Sequence, residues 1–172
     1  MSRIQLALRV ADLEKSVAFY TALFGAEPAK QRPGYANFAI AEPPLKLVLI
    51  EGDAGAEAPT VMDHLGVEVT STEAVDAATD RFKTSGLATF EESDSDCCYA
   101  VQDKVWVQGP GNEPWEVYVV KGEGTSLDKA APTAEDIAAG AGSNDVSASP
   151  NELAKTTQAT DQQDACCAFA RA

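Results

Sequence analysis

Histidine, cysteine and basic residues are all scarce in this sequence of 172 residues. It has a single histidine, His64, and four cysteines, which form the adjacent pairs Cys97-Cys98 and Cys166-Cys167. One histidine excludes a zinc site built from several histidines, and it excludes a catalytic histidine pair. The 13 Lys and Arg residues stand against 27 Asp and Glu, a formal net charge of -14. A surface of this charge repels phosphate backbones and anionic lipid, so we expect neither a nucleic-acid nor a membrane partner.

Long apolar runs are missing as well. No run approaches the roughly 18 apolar residues of a membrane-spanning helix, and no apolar run follows a basic leader. We therefore expect no spanning segment and no secretory signal peptide. Two vicinal cysteine pairs that are free of disulfides suit a reducing compartment, so the cytoplasm is the expected location.

Aromatic residues almost disappear after Lys121, where Phe169 is the only one left. Residues 122–172 are rich in Ala, Ser, Thr, Asp, Gln and Gly, and they carry 8 acidic and 3 basic side chains. So little apolar surface cannot offset the entropy lost on folding. We therefore predict a domain at residues 1–121 and a disordered, acidic, low-complexity tail at 122–172, with at most a transient helix at 133–141 that presents no apolar face.

Before this tail, the same order of elements occurs twice, in modules at about residues 3–51 and 63–121. In each module a strand with alternating apolar residues precedes an amphipathic helix, and further strands follow. Asp12 is the expected cap of the first helix, and Thr70-Ser71-Thr72-Glu73 has capping-box spacing before the second. A single module cannot bury its own sheet face. The sequence therefore predicts an α+β fold of two strand-helix-three-strand (βαβββ) modules, related by a pseudo-twofold axis and forming an open cleft.

The repeat aligns Gln5 with His64, because both begin the first strand of their module. It also aligns Pro44-Leu45-Lys46-Leu47 with Pro114-Trp115-Glu116-Val117, so Glu116 belongs to the last strand of the second module. Taken singly, each of these polar residues is typical of a structural role. Their correspondence in a duplicated module instead predicts that Gln5, His64 and Glu116 meet. An amide oxygen, an imidazole and a carboxylate suit a divalent first-row ion, iron(II) or manganese(II) better than structural zinc, with positions left open for chemistry.

The pair Cys97-Cys98 indicates a different chemistry. Adjacent Cα atoms lie about 3.8 Å apart, too close for a relaxed disulfide, and a regular strand would point the two sulfurs to opposite faces. The acidic run at residues 91–96 has little strand propensity and supplies the irregular backbone that joint ligation needs, although its charges are expected to raise both thiol pKa values. Two adjacent thiolates form a soft chelate for trivalent arsenic, cadmium or mercury. The alternative is a buried Cys98 with an accidental exposed neighbour. Cys166-Cys167 lies in the predicted tail, where it can at most capture or pass on a soft ion.

Residues 4–20, followed by Leu23-Phe24-Gly25, resemble the opening of a vicinal-oxygen-chelate protein, the superfamily of glyoxalases, bleomycin resistance proteins and extradiol dioxygenases. The usual metal positions of that superfamily fall on Gln5, His64 and Glu116. More narrowly, four further segments are similar to the carbon-arsenic lyase and cadmium-induced protein group. They are residues 33–38, 43–49 and 63–68, and Cys97-Cys98 with residues 102–107.

This resemblance implies an iron(II)- and dioxygen-dependent enzyme that converts trivalent organoarsenicals, methylarsenite or trivalent aromatic arsenicals, to inorganic arsenite. Cys97 and Cys98 then hold the arsenic, while Tyr99 and Lys104 orient the activated oxygen. A structural role is the alternative for each of the latter two: core packing for Tyr99, and a solvated position on a strand for Lys104. Two other functions stay open: a non-catalytic protein that binds cadmium or arsenite, and a glyoxalase-like or antibiotic resistance enzyme. Members with two modules build their cleft within one chain or across a homodimer, so a homodimer is open too.

Overall fold

The computed structural model describes residues 2–52, 58–127 and 130–140. Eight strands form one curled sheet in this part of the chain, and three helices accompany it. In chain order the elements are β1 (Arg3–Val10), α1 (Leu13–Phe24), β2 (Lys30–Arg32), β3 (Tyr35–Ile40), β4 (Leu45–Glu51), β5 (Val61–Glu68), α2 (Thr72–Thr84), β6 (Phe90–Cys97), β7 (Ala100–Gln108), β8 (Pro114–Glu123) and α3 (Ala134–Ala139). No helix among these is long and apolar enough to cross a membrane.

The sheet has the order β2-β3-β4-β1-β5-β8-β7-β6. Outward from the centre, the first module runs β1-β4-β3-β2 and the second runs β5-β8-β7-β6, so both modules have their first, last, third and second strands in that order. The first strands of the two modules, β1 and β5, pair antiparallel in the middle. Each then pairs in parallel with the last strand of its own module, β1 with β4 and β5 with β8. The predicted pair of βαβββ modules with pseudo-twofold symmetry is thus confirmed.

Each module packs its helix on the same outer face of the sheet. In the first module Leu13 of α1 lies in a core with Phe38 and Leu49, and in the second Val75 of α2 packs with Val105. Because side chains alternate along a strand, the residues between these apolar ones project from the inner, concave face. That face is polar yet buried; it carries Gln5, Lys46, His64, Gln102, Lys104 and Glu116. The curled sheet therefore places charged groups where water is scarce.

The first two helices begin at N-cap residues with a carboxylate or hydroxyl side chain, and one of these caps lies one residue away from its predicted position. The Asp12 side chain accepts a hydrogen bond from the Lys15 amide at 2.9 Å and caps α1. The cap of α2 is Ser71 rather than Thr70, and its hydroxyl accepts from the Ala74 amide. The backbone amide of Val69 still donates to Tyr118 of the sheet, so the chain becomes helical one residue later than the capping-box motif indicates.

Two expectations about irregular segments are wrong. The acidic run at 91–96 is part of strand β6, which is interrupted by a bulge between Glu92 and Ser95. This strand forms one edge of the sheet, where charged side chains reach water and discourage pairing with other chains. The tail prediction also fails for its first part, because β8 continues to Glu123 and α3 packs against β6 and β7.

The packing of α3 depends on a single apolar residue and a cap. Ile137 is 2% exposed, and Thr133 and Asp136 form a capping box at the start of the helix. One isoleucine hardly changes the average composition of some fifty residues that are mostly small or polar, so composition gave no sign of this contact. Residues 141–172, with Cys166-Cys167, lie outside the described residues.

Candidate metal and thiol site

The three predicted metal ligands come together on the concave face, from strands that are neighbours in the sheet. Gln5 Nε2 of β1 lies 3.0 Å from His64 Nε2 of β5 and 2.7 Å from Glu116 Oε1 of β8. His64 Nε2 lies 3.4 Å from Glu116 Oε1. All three side chains are at least nine-tenths buried. They belong to one chain, so their convergence needs no second copy.

Gly66 makes this convergence possible, and sequence reasoning missed it. It pairs with Gln5 on one side and with Glu116 on the other. A Cβ atom at Gly66 would lie 3.1 Å from Glu116 Cγ and 3.3 Å from Gln5 Cβ, closer than side chains usually pack. The missing side chain therefore opens the space in which the amide and the carboxylate meet.

The register corrects one alignment of the repeat. Ala7 pairs with Val48 in the first module, and Gly66 pairs with Glu116 in the second. Because Gln5 and His64 are equivalent, Ala7 and Gly66 are too, so the counterpart of Glu116 is Val48 and not Lys46. Side chains along a strand return to the same face of the sheet every two residues. An alignment of two strands can therefore be wrong by two residues and still place each side chain on the correct face.

The donor atoms fit a first-row divalent ion. Two ligands bound at about 2.1 Å and at right angles lie about 3 Å apart, which is close to the three separations observed here. No group of three His, Cys, Asp or Glu side chains in the described part of the chain is arranged for a metal, so the Gln5 amide is needed as third donor. Its oxygen accepts from Tyr118, and a half-turn of the amide exchanges that oxygen with the nitrogen that faces His64.

Asp63 sets the orientation of the imidazole. Its carboxylate lies 2.5 Å from His64 Nδ1, which leaves Nε2 directed at Gln5 and Glu116. Burial lowers the pKa of His64, but the hydrogen bonds with Asp63 and Glu116 outweigh burial and raise this pKa to about 9. A cation therefore suits this position, and a metal ion held here would take the place of the proton on Nε2.

Lys104 is the predicted site residue that lies against the ligand set. Its Nζ is 3.0 Å from Glu116 Oε2, in a pair that is almost completely buried. Burial disfavours the charged form of both groups, but the opposite charge of the partner has the larger effect. The pKa of Lys104 is therefore raised, and the pKa of Glu116 is well below its usual range. The ammonium thus occupies one carboxylate oxygen and leaves the other, Oε1, facing Gln5 and His64.

The two sulfurs of Cys97 and Cys98 lie on the same side of the chain, 3.1 Å apart. Cys97 ends β6, and Cys98 and Tyr99 both have left-handed backbone, with φ of 57° and 58°. Irregular backbone is therefore present at the turn into β7, in addition to the bulge in the acidic run, where Asp94 has a φ of 51°. Both cysteines are free thiols.

Contrary to the expectation of two raised pKa values, the thiols differ. A hydrogen bond from the Cys98 thiol, aided by the charge of Lys104, lowers the pKa of Cys97 to about 7 against the opposing effect of burial. The same contact, together with burial, raises the pKa of Cys98. The pair thus holds one proton between two sulfurs near neutral pH. Asp96, in the acidic run, accepts hydrogen bonds from Thr125 instead of facing the sulfurs.

One small cavity joins the thiols to the ligand set. Both cysteines, Gln5, His64, Lys104 and Glu116 line it. Trp106 also lines it: its ring meets His64 edge-on at 5.3 Å, and its Nε1 donates to Glu92. Tyr99 lies differently, since its hydroxyl donates to the Pro33 carbonyl and its ring packs on Tyr35. Side chains alternate along β7, so Gln102 and Trp106 lie on the same face as Lys104. This spacing of two residues is the sequence signal from which Gln102 and Trp106 could have been predicted as residues of the cavity.

Comparison with known proteins gives concordant results. The model of the glyoxalase/bleomycin resistance protein/dioxygenase superfamily matches residues 3–117. The chain is 71% identical over 130 residues to a protein of Thermomonospora curvata named trivalent organoarsenical cleaving enzyme, covering 76% of this chain and 85% of that protein. It is 58% identical over 122 residues to the cadmium-induced protein CadI of Mycobacterium tuberculosis, covering 70% and 77%. A manganese(II)-bound glyoxalase from Novosphingobium aromaticivorans shares the fold, with a TM-score of 0.52 at 20% identity over 76% of this chain and 44% of that one.

Proposed function

This chain belongs to the glyoxalase/bleomycin resistance protein/dioxygenase superfamily, and we propose that it is a lyase that cleaves the carbon-arsenic bond of trivalent organoarsenicals with iron(II) and dioxygen. Its products are inorganic arsenite and an oxidised carbon fragment. The observation that carries the proposal is the shared cavity, where two sulfurs 3.1 Å apart face an amide, an imidazole and a carboxylate. The relative from Thermomonospora curvata, named for cleaving trivalent organoarsenicals, supports the same substrate class.

Substrate capture begins at the thiols. The Cys97 sulfur, with its lowered pKa, is the nucleophile that forms the first arsenic-sulfur bond. Cys98 closes the chelate after its proton leaves. The arsenic then keeps one organic substituent, methyl or aryl, inside the cavity that both cysteines line. Fixing this bond beside the second reactant supplies the proximity on which such a reaction depends.

Gln5, His64 and Glu116 are the residues that hold iron(II) in this proposal. When bound, the ion supplies the electrons that make dioxygen reactive toward the carbon-arsenic bond. Asp63 keeps the imidazole nitrogen aimed at the site, and Lys104 holds Glu116 by its outer oxygen. The Lys104 ammonium also adds positive charge to a buried cavity, which favours anionic oxygen species there. Trp106 covers the imidazole and limits the entry of water.

A soft-metal binding protein is the second candidate, and the name of the mycobacterial relative favours it. Two adjacent thiols suit cadmium as well as arsenic. Sequestration, however, requires no oxygen and nitrogen donors beside the thiols, and here both sets line one cavity. A glyoxalase-like or antibiotic resistance activity rests on likeness of fold alone. The need for reduced thiols suits the cytoplasm.

The test is anaerobic reconstitution of the full chain with iron(II), followed by trivalent methylarsenite or trivalent phenylarsenic with and without dioxygen. We expect inorganic arsenite only when iron and dioxygen are both present, measured by chromatography with arsenic detection. Cys98→Ser is expected to lose arsenical binding and keep iron binding. Absence of oxygen-dependent arsenite, with arsenical or cadmium still bound stoichiometrically, would establish the sequestering function instead.

A further inference from the structure

A second cavity adjoins the first on the concave face. The two cavities share four wall residues, Tyr35, Lys46, Cys98 and Gln102. Cys97 and the three ligand residues line the first cavity, whereas Arg3, Lys30 and Glu68 line the second. Cys98 therefore faces the metal ligands through one cavity and a separate basic space through the other.

The charge of this second cavity is opposite to that of the chain. Arg3, Lys30 and Lys46 line it, against one carboxylate, Glu68. Glu68 serves two of these cations, with Arg3 at 2.8 Å and Lys46 at 3.0 Å. Lys30 donates to the Tyr99 carbonyl at 3.0 Å and pairs with Glu123, whose side chain is 76% exposed, so the carboxylate partner is open to exchange with another anion. In a protein of net charge -14, a basic wall of this kind selects an anionic ligand.

Two buried polar atoms of the wall lack a partner among the described residues. They are the donor Arg3 Nε and the acceptor Gln102 Oε1, and Gln102 is only 5% exposed. A buried donor or acceptor without a partner costs about 1–3 kcal/mol, so each such atom in a native protein calls for an explanation. A ligand that brings a carboxylate to Arg3 and an N–H group to Gln102 satisfies both atoms.

We propose that this cavity binds a small thiol with a carboxylate and an amino or amide group, cysteine or a cysteinyl peptide, which exchanges arsenic with Cys98. The inference rests on the proposed function. Its chemistry has three requirements: an anionic group for the cations, an N–H donor for Gln102, and a group that reacts beside Cys98. Cysteine is the smallest molecule that meets all of them.

The exchange is balanced without any oxidant. An organoarsenical enters as its adduct with two thiols, and the Cys97 thiolate forms an arsenic-sulfur bond while one thiolate of the adduct leaves. That thiolate takes the proton of Cys98, and Cys98 then forms the second bond as the other thiolate leaves and is protonated by water. Two arsenic-sulfur bonds form and two break, so arsenic stays trivalent. The same steps in reverse release arsenite to free thiol.

The experiment follows uptake of arsenic from preformed phenylarsenic(III) adducts. One adduct carries two cysteines, and the other carries two molecules of 2-mercaptoethanol, which lacks both recognition groups. The iron-loaded full chain is mixed anaerobically with each, separated by rapid filtration, and analysed for bound arsenic. We expect uptake from the cysteine adduct to be about tenfold faster, the size expected of one charge-assisted contact.

Matched variants locate the effect. Lys30→Gln is expected to remove most of the preference for the cysteine adduct and to leave uptake from the 2-mercaptoethanol adduct unchanged. Arg32→Gln alters a cation of the same strand outside this cavity and is expected to change neither rate. Equal rates from the two adducts in the unmodified chain, or equal effects of Lys30→Gln and Arg32→Gln, would overturn this inference alone. No uptake from either adduct would overturn the thiol chelate itself, and with it the proposed function.

Discussion

The hydroxyl of Tyr118 lies 2.6 Å from the amide oxygen of Gln5 and 2.9 Å from Glu68. Lys46 donates to the same hydroxyl at 3.0 Å. One phenol proton cannot serve two acceptors, so the amide orientation of Gln5 decides which of them receives it. When the Gln5 nitrogen donates to Tyr118, the hydroxyl donates to Glu68, and the amide oxygen is left for a metal ion.

Removing this hydroxyl is therefore expected to weaken metal binding. In Tyr118→Phe the amide loses the partner that fixes its orientation, and such outer contacts are worth about tenfold or more in metal affinity. Titration of the anaerobic protein with manganese(II), followed by electron paramagnetic resonance, measures the change. Tyr35→Phe is the control, because Tyr35 lines the cavity that contains Gln5 but its hydroxyl accepts from Asn37. Equal losses in both variants would show that Tyr118 has no special role toward Gln5.

A methyl group at Gly66 is expected to push the amide and the carboxylate apart. At 3.1 Å from Glu116 and 3.3 Å from Gln5 the methyl group would force these side chains to move by a few tenths of an ångström, and overpacking of this kind costs about 1–3 kcal/mol. Gly66→Ala should thus lower both manganese(II) affinity and the free energy of unfolding in urea. Gly122→Ala, where the added carbon has nothing within 4 Å, should change neither. Unchanged manganese(II) affinity in Gly66→Ala would contradict the close packing of this site.

The thiol pair is expected to titrate in a characteristic order. Because a hydrogen bond from Cys98 stabilises the Cys97 thiolate, the thiolate absorbance should rise with a midpoint near pH 7. Removing that donor destabilises the charged form, so Cys98→Ala should move the midpoint upward, toward the ordinary thiol pKa of about 8.5. At pH 7.5 the variant then carries less Cys97 thiolate than the unmodified chain. Cys97→Ala identifies the signal, since the absorbance near pH 7 must vanish with it. A midpoint that stays near 7 in Cys98→Ala would assign the low pKa to Lys104 alone.

The short helix α3 is expected to stabilise the domain in spite of its acidic, low-complexity surroundings. Truncation of a buried isoleucine to alanine costs about 2–5 kcal/mol, and Ile137 is 2% exposed. Ile137→Ala should lower the free energy of unfolding in urea toward that range. Glu135→Ala, on the exposed side of the same helix, should stay within about 0.5 kcal/mol. If both variants match the unmodified chain, α3 contributes nothing to the fold.

Duplication explains why so much of the site could be predicted from sequence. Gln5 and His64 are 59 residues apart, yet their equivalence within a repeated strand was enough to bring them together. Strand alternation added Glu116 on the correct face even though the assumed register was two residues off. Repetition and alternation are local patterns, and both can be read without knowing which strands pair.

Contacts across strands leave no such pattern. Tyr118 meets Gln5 over 113 residues and Lys46 over 72, and no spacing rule relates them. Gly66 was missed because its role is the absence of a side chain between two other residues. The edge strand β6 looked irregular because its acidic residues serve solubility at a sheet edge. These features depend on the assembled sheet and not on any one segment.

Val48 gives the duplicated fold a functional asymmetry. Symmetry relates it to Glu116, so a carboxylate at position 48 would have completed an enclosed, evenly shared set of four donors. A valine stands there instead, in the apolar cluster against which Cys98 packs. The donors Gln5, His64 and Glu116 therefore come from both modules, and the position that symmetry relates to Glu116 supplies an apolar wall beside Cys98 instead of a fourth donor.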